Sequence, residues 1–127
     1  YSNFAVYVKE LIMNVITEAS VDQLLLNLDL AKSMSESPTQ LHIVKGQLGY
    51  RVRVDTKDGW RMINYKNPQL VANLETLLGL NVQEQNGVFH ATMPGQRTSA
   101  KADTRALAVA IAAIKAPVMP GSLSAAL

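Results

Sequence analysis

This chain of 127 residues has no cysteine. Disulfide scaffolds, thiolate metal sites and cysteine nucleophiles are therefore excluded. Histidine is almost as scarce. His42 and His90 are the only two, too few for a histidine-built metal centre, and no cofactor or metal is expected. Aromatic residues make up 6% of the chain, with a single tryptophan, Trp60. No stretch approaches the roughly 20 apolar residues that cross a bilayer as a helix, so a membrane is not expected among the partners. Nor is there a basic stretch followed by an apolar run and a small-residue cleavage site. The expected location is the cytoplasm. Met13 reads either as a natural start or as an internal methionine.

What is present points to a folded protein. Hydrophobic residues reach 48% and charged residues 17%, too apolar for a disordered chain. The length suffices for one domain with its own core. That domain is expected over 1–117, with a loose tail at 118–127 containing Pro120, Gly121 and two serines. Charge is uneven. Residues 1–44 carry two bases and five acids, net −3, whereas residues 45–127 carry ten bases and five acids, net +5. The basic part suggests an anionic partner; a chance split is the plainer reading.

Apolar residues at Phe4, Tyr7, Val8, Leu11, Ile12, Val15 and Ile16 follow helical spacing. A second helix is expected from Val21, with Ser20 and Gln23 in a capping-box pattern. The serines and Pro38 end it. The first 40 residues thus read as a helical hairpin. From Leu41 the period changes to alternation. Leu41–Val44 is a short strand candidate, Lys45-Gly46-Gln47 a turn, and Tyr50–Asp55 a strand. Asp58-Gly59 marks a hairpin turn into Trp60–Tyr65. Asn67 caps a helix over 68–79, with Pro68 at its first position and Gly79 at its stop. Asn81–Gln85 and Val88–Thr92 flank the hairpin turn Asn86-Gly87. A polar loop follows over 93–102. Asp103 is expected to cap a last, alanine-rich helix over 104–116, ended by Pro117. The fold class is α+β: a helical hairpin, then two strand–strand–helix units whose hairpins form one antiparallel sheet covered by the two helices.

Parity assigns the side chains to faces. Tyr50, Val52, Val54, Ile63 and Tyr65 share one face, with Arg61 at its edge. Arg51, Arg53, Asp55, Trp60, Met62 and Asn64 share the other. In the second hairpin Val82, Glu84, Phe89 and Ala91 lie opposite Gln83, Gln85, Val88, His90 and Thr92. The set with guanidinium groups, an indole, a thioether, amides and an imidazole is the candidate for recognition. Arginines neutralise phosphates and an exposed indole stacks on bases, as on sheet platforms that bind single strands. If the N-terminal helices pack on this face, Trp60 and Met62 are instead core residues and the arginines lie at its rim. The loop with Arg97 and Lys101, ahead of a helix, suits a phosphate but lacks P-loop spacing. Neither histidine has a serine or carboxylate beside it in an evident motif, and Asp55 and Asp58 read as turn formers. An enzyme is therefore not expected.

The segments Asn67-Pro68-Gln-Leu-Val-Ala-Asn-Leu, Phe89-His-Ala and Ala102-Asp-Thr-Arg-Ala-Leu-Ala-Val-Ala carry a resemblance. Over about 67–116 the chain resembles the small phage proteins of the ABA sandwich family. It departs from them over the first 66 residues, and in having Phe89 where tryptophan is commoner. The resemblance implies a phage or prophage accessory protein with no catalytic residues to carry over. The function expected from the sequence is a non-enzymatic protein-interaction module that self-associates through its N-terminal helices, as a homodimer. The alternative is a single-stranded nucleic-acid-binding protein. The residues expected to bind partner or nucleic acid are Arg51, Arg53, Trp60, Met62, His90, Arg97 and Lys101.

Overall fold

A computed structural model of the chain describes residues 22–46, 49–97, 99–118 and 121–127. The stripe from Phe4 to Ile16, and with it the first helix of the expected hairpin, lies outside the described residues. Residues 22–34 are helical (α1). Leu30, Ala31 and Met34 are buried, at the three- and four-residue spacing of one helical face. The chain leaves α1 through a single 3-10 turn at Pro38–Gln40, where Ser37 Oγ accepts from Thr39 N and Gln40 Oε1 accepts from Ser37 N.

Three strands follow as an antiparallel meander, sheet A: β1 (Leu41–Gly46), β2 (Gly49–Thr56) and β3 (Gly59–Ile63). The register pairs Ile43 with Val52, and Val52 with Ile63. The β2–β3 turn is closed by Thr56, whose Oγ1 donates to Gly59 O at 2.6 Å and accepts from Asp58 N at 3.2 Å. Helix α2 (Pro68–Leu78) begins as the sequence requires. Asn67 accepts from Gln69 N, Pro68 is its first residue, and Gly79 ends it in the left-handed region at φ 63°.

A second antiparallel meander, sheet B, comprises β4 (Asn81–Gln85), β5 (Val88–Thr92) and β6 (Ala100–Ala102). Asn86 and Gly87 both have positive φ, 53° and 78°, as a two-residue hairpin turn demands. Helix α3 (Arg105–Lys115) follows, and a 3-10 turn at Ser122–Ala126 closes the described chain.

The fold class is α+β, with antiparallel sheets. The expected single sheet is not formed: the two hairpins stay apart, and each gains a third strand of its own. In sheet A that strand is β1. In sheet B it is β6, inside the segment read as a polar loop, where only Ala100, Lys101 and Ala102 pair with β5. Asp103 does not cap α3; Thr104 does, accepting from Leu107 N at 3.2 Å. The segment expected to be a loose tail is tied down, because Leu123 and Ala126 are buried in the core.

Helix α3 joins two apolar clusters. Val109, Ala110 and Ala113 belong to the main core, with Val52, Val54 and Ile63 of sheet A, Leu30 and Met34 of α1, and Leu70 and Leu74 of α2. Ala108 and Ala112 pack instead with Ala91 of sheet B. Alanine on both sides of α3 lets the helix approach the sheet and its neighbours closely. Asn27 Oδ1 accepts from Tyr65 N at 2.8 Å and so ties α1 to the end of sheet A.

Candidate functional site

The register of sheet A fixes which side chains share each face. Arg53 lies opposite Met62 on β3 and opposite His42 on β1; Asp55 lies opposite Trp60. The helices bury the alternate set, Val52, Val54 and Ile63. The alternative in which the N-terminal helices cover Trp60 fails for α1, whose buried side joins the core with Val52 and Val54. Trp60 is 58% exposed and Met62 39% exposed. Arg51 is exposed on the same face, without an ion-pair partner among the described residues.

Asp55 organises the centre of this outer face. Its Oδ2 lies 2.8 Å from His42 Nε2, and its Oδ1 lies 3.2 Å from Arg53 Nε. Arg53 Nε is shielded from solvent, yet its angle to Asp55 makes no hydrogen bond, which leaves an unsatisfied donor beside a carboxylate. Two expectations are corrected by this geometry: Asp55 is more than a turn former, and His42 does have a carboxylate beside it. The signal was available in the sequence. The antiparallel pairing of β1 with β2 sets His42 across from Arg53. Asp55, two residues further along β2, then comes within reach.

Sheet B places His90 and Lys101 opposite each other on its outer face. Ser99 Oγ lies 3.4 Å from His90 Nδ1, a partner that strand β6 brings and that sequence reasoning missed with that strand. Arg97 is exposed in the segment joining β5 to β6. The candidate residues thus fall into two strand-built sets, Arg51, Arg53, Trp60 and Met62 on sheet A and His90 and Lys101 on sheet B, with Arg97 outside both.

No family model, no curated protein and no solved structure matches this chain. Functional inference therefore rests on the chemistry of these faces. Among the described residues, no group of three or more histidine and acidic side chains is placed to hold a metal ion, and no helix is long and apolar enough to cross a membrane. Sheet A can offer a flat aromatic surface, a thioether and guanidinium donors together. An indole stacks on the π-face of a base, and guanidinium groups fork onto phosphate oxygens.

Proposed function

We propose that the chain binds single-stranded nucleic acid through the outer face of sheet A. The observation that carries this reading is the exposure of Trp60 on a face shared with Arg51 and Arg53. A lone tryptophan is ordinarily well buried in a small domain, so leaving it in water needs a compensating use. Unpaired bases stack on Trp60 and Met62, while Arg51 neutralises a backbone phosphate. Arg53, held beside Asp55, adds positive charge to the same face. A phage or prophage accessory role, implied by the resemblance over 67–116, accords with so small a binding module.

Trp60→Ala is expected to weaken binding to a single-stranded oligonucleotide about 5- to 150-fold, the equivalent of one lost stacking contact. Binding to duplex changes less, since paired bases do not offer their faces. Arg51→Ala is expected to lower the slope of log K against log salt by about one. Fluorescence anisotropy with a labelled oligonucleotide measures both. Equal losses on single strand and duplex contradict base stacking, and an unchanged salt slope contradicts the phosphate contact.

Self-association is the second reading, favoured by Ile43 and Tyr50. These are diagonal neighbours on the helix-covered face of sheet A, yet both are half exposed. Sedimentation of the full chain across concentration tests it, and a monomer throughout contradicts it.

A further inference from the structure

The two sheets repeat one cross-strand pairing. In each, a histidine on the outer face stands directly opposite a basic residue: His42 opposite Arg53, and His90 opposite Lys101. The surroundings of the two pairs differ. In sheet A the pair holds an oxyanion supplied by the chain itself, the carboxylate of Asp55, at 2.8 Å from the imidazole and 3.2 Å from the guanidinium. Among the described strand residues of sheet B no carboxylate shares the face. Its other polar strand residues are Asn81, Gln83, Gln85 and Thr92, which carry amides and a hydroxyl. Lys101 is exposed, without an ion-pair partner among the described residues.

We infer that His90, Ser99 and Lys101 form a site for a phosphate group on the outer face of sheet B. Sheet A demonstrates that a histidine and a base at this cross-strand spacing accommodate a carboxylate-sized oxyanion; sheet B offers the same pairing with no anion among its described strand residues. The hydroxyl of Ser99, 3.4 Å from His90 Nδ1, fixes the ring. When Ser99 donates to Nδ1, the proton resides on Nε2 and the imidazole presents a donor. The ammonium of Lys101 supplies charge and up to three more donors. Together they match the acceptor-only oxygens of a phosphate. In sheet A the Asp55 carboxylate already occupies the corresponding place beside the histidine and the arginine, and this is why the anion site belongs to sheet B. The inference is independent of nucleic-acid binding by sheet A, because the phosphate group is either free, on a small molecule, or part of a strand's backbone.

With only two histidines in the chain, their imidazole proton resonances are assignable by substitution and report the two sheets separately. The full chain is titrated at constant pH with inorganic phosphate, with sodium chloride at matched ionic strength, and with a single-stranded oligothymidylate. Phosphate or the oligonucleotide is expected to move the His90 signals saturably, and chloride is not. Lys101→Gln is expected to raise the midpoint about tenfold or more, the effect of losing a charged hydrogen-bond donor. Lys32→Gln, on the exposed side of α1 away from both sheet faces, leaves it unchanged. The titrant that saturates at lower phosphate concentration identifies the source. His90 signals that stay still, that move equally with chloride, or that respond identically in Lys101→Gln overturn the site. Trp60 emission reports sheet A in the same samples, so either surface can fail alone.

Discussion

Tyr65 shows how one side chain ties the core to pH. It lies just beyond β3, is largely buried, and donates its backbone N–H to Asn27 of α1. Burial raises its phenol above the ordinary value, and the negative charge of Asp103 raises it further. An unfolded chain ionises this phenol near pH 10, whereas the folded chain resists. The stabilisation from the neutral phenol is therefore complete below about pH 10 and is lost as pH rises from there through the raised folded value. The slope contributed approaches about 1.4 kcal/mol per pH unit at most. Tyr65→Phe is expected to flatten the alkaline fall in stability, measured by urea unfolding from pH 9 to 11. An unchanged alkaline slope contradicts the account. At this scale the sequence was most legible. Strict alternation over Tyr50–Asp55 and the Asp-Gly turn put Val52, Val54, Ile63 and Tyr65 together, and the pairing of Asp55 with Trp60 follows from them. The contact of His42 with Asp55 was missed because it requires the register of β1 on β2 as well as the parity of the β2–β3 hairpin.

Among the elements, the closing 3-10 turn depends on a residue that its own sequence barely advertises. Gly121 has φ 81°, and a Cβ there would sit 2.7 Å from Glu36 Cγ and 3.3 Å from Glu36 Cα. Gly95 has nearly the same backbone, φ 78°, with nothing within 4 Å of the Cβ position. Gly95→Ala therefore measures the left-handed backbone cost alone, about 1 kcal/mol. Gly121→Ala adds the collision with Glu36 and is expected to exceed Gly95→Ala by about 1–2 kcal/mol in urea unfolding. Equal losses contradict the docking of Leu123 and Ala126 into the core. The same segment explains why composition misled. Pro120, Gly121 and two serines read as loose, but burial of Leu123 outweighs local propensity. Strand β6 was hidden for a related reason. Three residues, Ala100-Lys101-Ala102, are too few to establish an alternating pattern, and the strand exists because β5 offers it an edge. The cap of α3 moved by one position because both Asp103 and Thr104 are good cap residues, and backbone geometry selects between them.

Across the whole molecule, the division into two sheets decides which surfaces remain for function. A single sheet would have had one outer face. Two meanders give two, each with a histidine opposite a base, and only sheet A adds a tryptophan. The α+β class, the order of the helices and both hairpins came from periodicity and turn residues. The separation of the sheets did not, since strand pairing between distant hairpins is set by packing that no local pattern encodes. Helix α3, with alanines on both sides, satisfies the main core and sheet B at once and so lets the sheets stay apart. The central claim is that Trp60 is an exposed stacking platform on sheet A. Because it is the only tryptophan, the intrinsic fluorescence of the full chain titrated with a single-stranded oligonucleotide tests that claim most directly. A red-shifted, readily quenched emission that dims saturably with oligonucleotide, and less as salt rises, is the predicted result; a blue-shifted emission indifferent to oligonucleotide would contradict it.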